Sequence, residues 1–377
     1  MSRLVPPGDP KAIKKYSAFL AVDTPKKMYW SRFMGKGKTT TMPLHQLVDL
    51  EKSRGDEITF DLSMQMTMEP VEGADVLEGK EEDLQFYSGS VKIDKMRGGA
   101  KAGDEMSQKR TVHDMRKVAR ARQSEWWARV FDELCFMYAA GARGTNADFV
   151  FRTTYTGFAG NPFSAPDSEH LYVANKKAKA TLTTSDTINM DEIELLAAKA
   201  ETMGGGAGGG QPGSDGNTQT PQIQPIKIGA ERHYVLVMST WQAYDLRTST
   251  DTNGWMDVQK ALTTAVGRKS NIFTGGLGMK NNVVLHSHRN IIKFTDYGSG
   301  GNVEAHRALF LGAQALVCAF GNAGIGLRFK WHEEWDDRGD KLVVTSKSMF
   351  GVMKTQFNGK DFGVVAYDTA CADRSTT

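Results

Sequence analysis

The segment Met106–Ala139, MSQKRTVHDMRKVARARQSEWWARVFDELCFMYA, decides the fold because it carries the strongest periodic pattern in the chain. No proline or glycine interrupts it, and Gly141 and Gly144 supply stop signals beyond its end. The sequence predicts one helix over 106–142, about 50 Å long if continuous, which we call the spine helix. Its apolar residues recur at steps of three, four or seven, as on one helix face: Val112, Met115, Ala119, Trp126, Val130, Leu134, Met137 and Tyr138.

The first half of this helix is basic. It contains Lys109, Arg110, Arg116, Lys117, Arg120 and Arg122 against one acidic residue, Asp114. One interpretation is a nucleic-acid-binding module that uses the basic helix 107–122. A recognition helix, however, presents polar side chains without an attached apolar stripe and two tryptophans. We therefore favour a helix that packs on a sheet and places its charged face at a contact between subunits.

An acidic, two-stranded projection is predicted immediately upstream. Residues 57–68, EITFDLSMQMTM, alternate apolar and polar side chains, which is typical of a half-buried strand. A second strand is predicted over 84–95, and the loop 69–83 between them has seven acidic residues against one basic residue, Lys80. A loop projects away from its own root, so the opposite charges of loop and helix favour pairing between identical subunits.

This pairing defines ten candidate contact residues. They are Glu69, Glu72, Asp75, Glu78, Glu81 and Glu82 on the loop, and Arg116, Lys117, Arg120 and Arg122 on the helix of a neighbouring copy. The alternative is a solvated acidic loop without a partner. A calcium loop is disfavoured because the carboxylates do not alternate around a central glycine.

The rest of the chain predicts a mixed architecture. Residues 1–50 are punctuated by prolines and predict an extended arm with a short helix near Lys11–Val22. Met190–Met203 predicts an amphipathic helix capped by Asn189 or Asp191, and Gly204–Pro221 predicts a flexible surface insertion. Further predicted elements are strands at His233–Ser239 and Asn282–His286, helices at Trp241–Arg247 and Trp255–Arg268, and an antiparallel sheet formed by Leu327–His332, Lys341–Val344, Phe350–Phe357 and Phe362–Tyr367. An α/β unit over 223–325 combined with that sheet gives an α+β fold.

Composition and motifs exclude several classes of protein. The net charge of +3 is too small to mark the whole chain as a nucleic-acid binder, and three dispersed cysteines indicate a reducing compartment. The longest apolar run, Ala308–Phe320, is shorter than the ~20 residues of a membrane span, and no secretory signal is present at the N-terminus. The protein is therefore expected to be soluble where it is made.

No catalytic, cofactor-binding or metal site is predicted. Gly35–Thr40 resembles a phosphate loop, but Arg32 occupies the position of its first glycine. His286 and His288 would share one face of a strand, but two ligands do not complete a zinc site. An α/β enzyme centred on 223–325 remains the third interpretation, after the contact helix and the nucleic-acid binder.

The order of these parts, and the wording of several long segments, resemble the major capsid proteins of tailed bacteriophages, and in particular a branch known from schitovirus-type phages and their relatives. The resemblance spans about residues 28–370, and Gly204–Pro221 is longer and richer in glycine than the family pattern. The segments that carry it are GDEITFDLSMQMTMEPVEGADVLEGKEEDLQFYSGSVKID, MSQKRTVHDMRKVARARQSEWWARVFDELCFMYAAGARG, IFTGGLGMKNNVVLHSHRN, ALFLGAQALV and FNGKDFGVVAYDT.

The resemblance implies the Johnson fold of phage shell proteins. It implies an N-terminal arm (1–50), an extended loop (51–104, acidic tip 69–83), a peripheral domain with the spine helix (105–184), an axial domain (185–326) and a return to the peripheral sheet (327–377). It also implies self-assembly into hexamers and pentamers of an icosahedral head around double-stranded DNA, through a procapsid that expands. A separate scaffolding protein is expected, because no long N-terminal segment could act as a built-in scaffold. A portal, a decoration or cement protein and non-specific contact with packaged DNA complete the expected partners, and no membrane is involved.

Overall fold

The computed structural model describes residues 10–37, 40–51, 55–63, 70–73, 75–81, 83–84, 86–203, 211–212, 219–220, 222–249, 276–322, 327–336, 340–357 and 359–374. The helices of this part of the chain are α1 (Pro10–Lys27), α2 (Glu105–Arg110), α3 (Met115–Ala140), α4 (Met190–Thr202) and α5 (Thr240–Thr248). Its strands are β1 (Met34–Lys36), β2 (Leu44–Leu47), β3 (Glu57–Ser63), β4 (Phe86–Lys92), β5 (Asp94–Asp104), β6 (Gly157–Phe158), β7 (Asn161–Pro162), β8 (Leu171–Val173), β9 (Gln211–Pro212), β10 (Gln219–Thr220), β11 (Ile226–Ile228), β12 (Glu231–Met238), β13 (Gly278–Lys280), β14 (Val283–Ser287), β15 (Ile292–Tyr297), β16 (Val303–Leu311), β17 (Leu316–Phe320), β18 (Phe329–Asp336), β19 (Lys341–Lys354), β20 (Gln356–Phe357), β21 (Lys360–Asp361) and β22 (Val364–Ala370).

A six-stranded sheet supports the spine helix α3. Its strand order is β1-β2-β17-β19-β18, and β5 pairs with β19 beside that path. Two side chains of α3 join the helix to β19: Trp127 Nε1 donates to Ser346 Oγ at 2.7 Å, and Gln123 Nε2 donates to the Val344 carbonyl at 3.0 Å. Gly98 of β5 lies under the ring of Trp126, where a Cβ atom would approach the indole to 2.4 Å. The helix can therefore lie close to the sheet.

The spine helix is shorter than the predicted range of 106–142. It begins at Met115, because Asp114 adopts an extended backbone and its carboxylate accepts from the amides of Arg116 and Lys117. This N-cap ends the possibility of a continuous helix from Met106. The preceding residues form the separate short helix α2, and Val112, which was predicted to lie in the apolar stripe, is fully exposed. The helix has 26 residues, or about 39 Å.

The second half of the spine helix is buried on every side. Phe131 through Ala140 are all buried, Asp132 and Glu133 among them. Asp132 accepts from the backbone amides of Tyr29 (2.9 Å) and Trp30 (3.1 Å), which fixes the N-terminal segment against the helix. Gly141 ends the helix in a left-handed conformation (φ +69°), and a Cβ there would meet the carbonyl of Ser164.

An eight-stranded sheet covers the other side of the spine helix. Its order is β13-β14-β12-β16-β22-β8, with β11 beside β12 and β15 beside β16. Alternate residues of β12 serve two cores. Val235 and Val237 belong to the core that contains the spine helix, whereas Tyr234 and Leu236 pack in a second core with residues of α4 and α5. The mixed helices and sheets confirm the α+β fold.

The chain passes between the two sheets at residues other than those predicted. The chain leaves the eight-stranded sheet after β16 and enters the six-stranded sheet at β17, so the crossover lies at Gly312–Ala315 and not at residue 326. It returns at β22, which pairs antiparallel with β16 and parallel with β8. Val364–Ala370, within the predicted return segment 327–377, therefore lies in the eight-stranded sheet. Residues Leu171–Val173, placed in the peripheral domain by the prediction of 105–184, also belong to the eight-stranded sheet.

The N-terminal region is more integrated than an arm. Its helix runs over Pro10–Lys27, longer than the predicted Lys11–Val22, and Leu44–Leu47 forms an inner strand of the six-stranded sheet. Leu44–Leu47, within the predicted arm 1–50, is therefore part of a sheet, and residues 1–9 lie outside the described part of the chain. Trp30 and Phe33 of this region have no exposed surface and form part of the main core.

The two-stranded projection is present but shorter at its base than predicted. β3 and β4 pair antiparallel from Glu57↔Lys92 to Ser63↔Phe86. The chain then continues into β5, so Asp94–Asp104 belongs to the six-stranded sheet and not to the predicted projection of 51–104. Met64–Met68, the end of the predicted first strand, lies outside the described residues.

Most predicted elements in the eight-stranded sheet are confirmed. α4 begins after Asn189, whose side chain accepts from the amides of Asp191 and Glu192. α5, β12 and β14 match the predictions at 241–247, 233–239 and 282–286 to within two residues. The helix predicted at Trp255–Arg268 lies outside the described residues, as does the Gly204–Pro221 insertion apart from the paired strands β9 and β10.

Arg307 connects the spine helix with the eight-stranded sheet. Its guanidinium donates to both carboxylate oxygens of Asp368 at 2.7 Å and to the carbonyl of Ala140 at 2.8 Å. Tyr297 donates to the same carboxylate at 2.5 Å. Burial alone would lower the pKa of Arg307, but the adjacent Asp368 carboxylate raises it above the usual range, so the side chain stays charged.

We expect Arg307→Leu to destabilise the subunit by about 3–5 kcal/mol, because Asp368 would remain as an uncompensated buried charge. Urea denaturation of purified subunits measures the loss. The matched control is Arg289→Leu, which removes an ion pair with Asp148 whose side chains are 70% and 78% exposed. That change should cost less than about 1 kcal/mol. Equal losses in the two variants would contradict a connecting role for Arg307.

Candidate subunit interface

The tip of the projection carries its carboxylates into solvent. Glu72, Asp75, Glu78 and Glu81 are all exposed, whereas Glu69 and Glu82 lie outside the described residues. Within the described part of the chain, none of these four carboxylates forms an ion pair. The Glu81 carboxylate accepts from the amide of Gly79 at 2.7 Å, a local turn contact. The tip thus presents negative charge that no described residue of its own subunit neutralises.

The tip is also apolar. Val76 and Leu77 lie between the acidic residues and are 66% and 50% exposed. Leu84 and Phe86, at the start of β4, are 61% and 63% exposed. Large apolar side chains grouped at an exposed position are typical of a surface that another molecule covers.

The four predicted cations of the spine helix already have partners in their own subunit. Arg116 lies 3.4 Å from Glu333, Lys117 lies 3.5 Å from Asp114, and Arg122 lies 2.7 Å from Glu125. The guanidinium of Arg120 stacks 4.7 Å above the ring of Phe19. Within the subunit, the structure does not bring these cations together with the acidic tip.

A second group of cations was missed by the sequence analysis. Lys330, Lys347 and Arg97 are direct neighbours on β18, β19 and β5, on the face of the sheet opposite the spine helix. The alternation of residues 327–332 predicted that Lys330 faces away from Phe329 and Trp331. The residues opposite it on two other strands depend on strand register, which the sequence does not contain.

His286 and His288 lie in an aromatic cluster. The His288 ring is 4.3 Å from the Tyr29 ring and stacks on Phe136 at 4.8 Å. Burial, and then the charges of Arg32 and Arg289, lower the pKa of His288 to about 4. Among the described residues, no group of three or more His, Cys, Asp or Glu side chains could hold a metal ion. The pair therefore serves packing in this structure.

The cysteines are free and buried. Burial raises the pKa of Cys318 and of Cys371 to about 12, and that of Cys135 lies well above its usual value. The thiols therefore remain protonated, which is typical of structural rather than reactive cysteines. No helix of the described chain is long and apolar enough to cross a membrane.

The architecture is that of a viral shell subunit. The structure aligns with the capsid of Ralstonia phage GP4 with a TM-score of 0.83 and 44% identity, covering 100% of both chains. The capsid asymmetric unit of Cyanophage Pam1 aligns with a TM-score of 0.69 at 17% identity, over 92% of this chain and 93% of that one. These alignments confirm the predicted phage capsid fold.

The sequence places the chain in one family of such shells. Residues 4–373 match the family model described as phage capsid protein, and the chain belongs to that family. The major capsid protein of Pseudomonas phage KPP25 is 24% identical over 356 residues, or 87% of this chain and 88% of that protein. The function of the chain is therefore that of a phage major capsid protein, which forms the shell of the virion. The alternative of a nucleic-acid-binding module finds no support in these comparisons.

The low pKa of His288 makes the free energy of unfolding of the subunit depend on pH. The pKa of His288 in the folded subunit is about 4, below the ordinary value of 6.5, so the unfolded chain binds more protons between these values. This contribution to stability is present above pH 6.5 and is lost as the pH falls to about 4. The variant His288→Phe keeps an aromatic ring beside Tyr29 and Phe136 but has no titrating group there. Over the same pH range, we expect its free energy of unfolding to decrease by roughly 2 kcal/mol less than that of the wild type. Urea titrations at several pH values test this, and parallel stability curves would contradict it.

Proposed function

We propose that copies of this chain assemble as hexamers and pentamers into the icosahedral head of a tailed phage, around double-stranded DNA. The observation that carries this proposal is the alignment over the full length of both chains with the capsid of Ralstonia phage GP4. The shell-forming role is structural, and we include in the proposal that the subunit has no catalytic activity.

The acidic tip of the projection is proposed to contact a basic surface of a neighbouring copy. The tip carboxylates are exposed and have no ion pair with a described residue of their own subunit, and the apolar Val76 and Leu77 lie among them. The helix residues Arg116, Lys117, Arg120 and Arg122 are the receptor proposed from the sequence. Each exposed ion pair contributes only about 0–1 kcal/mol, but repetition over many identical contacts fixes the register of assembly.

Other partners follow from the family resemblance. The proposal includes a scaffolding protein that directs assembly of a procapsid, which later expands. It also includes a portal, a decoration or cement protein, and non-specific contact of the inner surface with packaged DNA. Assembly takes place in the cytoplasm of the host bacterium.

Charge reversal in the tip tests this contact. We expect Glu78→Lys combined with Glu81→Lys to reduce the yield of shells at least tenfold while leaving the subunit folded, because the tip would then repel a cationic receptor. Electron microscopy measures shells, and circular dichroism measures folding. The control is Glu169→Lys combined with Glu201→Lys, two exposed carboxylates outside the projection. Normal shells from the tip variant would show that the tip makes no essential charged contact.

A further inference from the structure

Three positive side chains form a continuous row across the six-stranded sheet. Lys330 of β18 is directly opposite Lys347 of β19, and Lys347 is directly opposite Arg97 of β5. Directly paired residues of antiparallel strands project from the same face of a sheet, with Cβ atoms about 4.5–5.5 Å apart. This face is opposite the one on which Ser346 and Val344 bind the spine helix. We call these three residues the cationic row.

Folding alone gives no reason for this arrangement. Like charges directly opposite each other on neighbouring strands are destabilising. No ion pair relieves the repulsion, since none of the three cations lies within bonding distance of a carboxylate among the described residues. A repulsive row that the subunit does not neutralise is expected where a negatively charged partner binds.

The surface beside the row has the shape of a shallow groove. The next row along the strands is His332, Thr345 and Gly99, and the glycine leaves the β5 side of this row without a side chain. A cavity of about 320 Å³ lies here, lined by Arg97, Lys330, His332, Thr345, Ser346 and Lys347. A Cβ at Gly99 would approach Thr345 to 3.0 Å, so a larger residue would narrow the groove.

We propose that the cationic row receives the acidic tip of a second copy of this chain. This inference rests on the proposed contact of the acidic tip with a neighbouring copy. It replaces the helix cations by the cationic row as the surface that the tip contacts. The helix cations Arg116, Lys117 and Arg122 are each paired with a carboxylate of their own subunit, whereas the cationic row has no such pair among the described residues. The tip and the row are thus surfaces of opposite charge, and neither forms an ion pair with a described residue of its own subunit.

The chemistry of the sheet face favours this partner over a nucleic acid. Glu334 and Asp336 are exposed on the same face of β18 beyond His332, so the positive charge is confined to the row and does not continue along the strand as a track for successive phosphates would. Val343 and Met349 project from the same face of β19 and are half-buried. Such a mixed surface fits a tip in which Val76 and Leu77 stand between carboxylates.

Reciprocal charge exchange tests the receptor. Glu78→Lys with Glu81→Lys should impair assembly, and adding Arg97→Glu with Lys347→Glu should restore shell yield at least tenfold. The matched control adds Lys117→Glu with Arg122→Glu, which exchanges two helix cations instead. Restoration by the helix exchange, or by neither exchange, overturns the cationic row as receptor. Normal assembly of the tip variant alone would instead refute the proposed tip contact itself.

A direct measurement uses carbodiimide, which joins lysine amines to nearby carboxylates, on shells assembled from equal parts of ¹⁵N-labelled and unlabelled subunits. We expect peptides that join Lys330 or Lys347 to the tip, with one labelled and one unlabelled member. Tip cross-links to Lys117 alone would overturn the proposal. So would protection of Lys330 and Lys347 from acetylation in DNA-filled shells but not in empty ones, which would indicate nucleic acid as the partner.

The sign of a stability change separates a binding role from a structural one. Lys347→Gln removes the central charge of the row, so the melting temperature of the unassembled subunit should stay constant or rise. Shell yield should fall at least threefold. The control Lys36→Gln changes an exposed lysine of β1 in the same sheet and should alter neither quantity. A lower melting temperature for Lys347→Gln together with normal shell yield would overturn the proposal.

Discussion

The buried contact of Arg307 with Asp368 and the Ala140 carbonyl is the interaction on which the rest of the subunit depends. The C-terminal end of the spine helix points its unpaired carbonyls into the interior, where an unsatisfied polar group is costly. Arg307 satisfies one of them and is itself neutralised by Asp368 on β22. This one side chain therefore links the C-terminal end of the spine helix to β16 and β22 of the eight-stranded sheet.

A rigid body of this kind leaves assembly to its periphery. The buried half of the spine helix, Phe131–Ala140, is completed within the subunit, and its charged members find partners there. The projection is the opposite case, since its carboxylates and its apolar Val76 and Leu77 are exposed together. An element whose charged and apolar side chains are exposed in the isolated subunit gains the most binding free energy when a neighbouring subunit covers it. The same contrast distinguishes the paired cations of the helix from those on the sheet.

Sequence patterns within a few residues predicted individual helices and strands. They did not predict which strands pair when the strands are far apart in the chain. Asn189 marks the start of α4 in the sequence, because a cap acts on amides two or three residues away. Asp114 is an N-cap residue of the same kind. It was not recognised as one because the apolar repeat continues on both sides of it and predicted a single helix. The glycine-rich strand Asp94–Asp104 carries little apolar alternation and is a strand because β19 supplies its partner. Likewise, only the strand register places Lys347 and Arg97 beside Lys330. The contact residues predicted from the sequence therefore all lie within one loop or one helix.

The position of β22 has a consequence for biosynthesis. This strand lies between β16 and β8, so Leu171–Val173 must wait until residues 364–370 have left the ribosome before its sheet can close. Contacts between such distant parts of a chain also form slowly, since a long loop must close first. The eight-stranded sheet is thus completed only after β22 has been translated, and a nascent chain that lacks this strand cannot present a finished subunit to its neighbours on the same messenger RNA. Vectorial synthesis itself thereby delays assembly until β22 has left the ribosome.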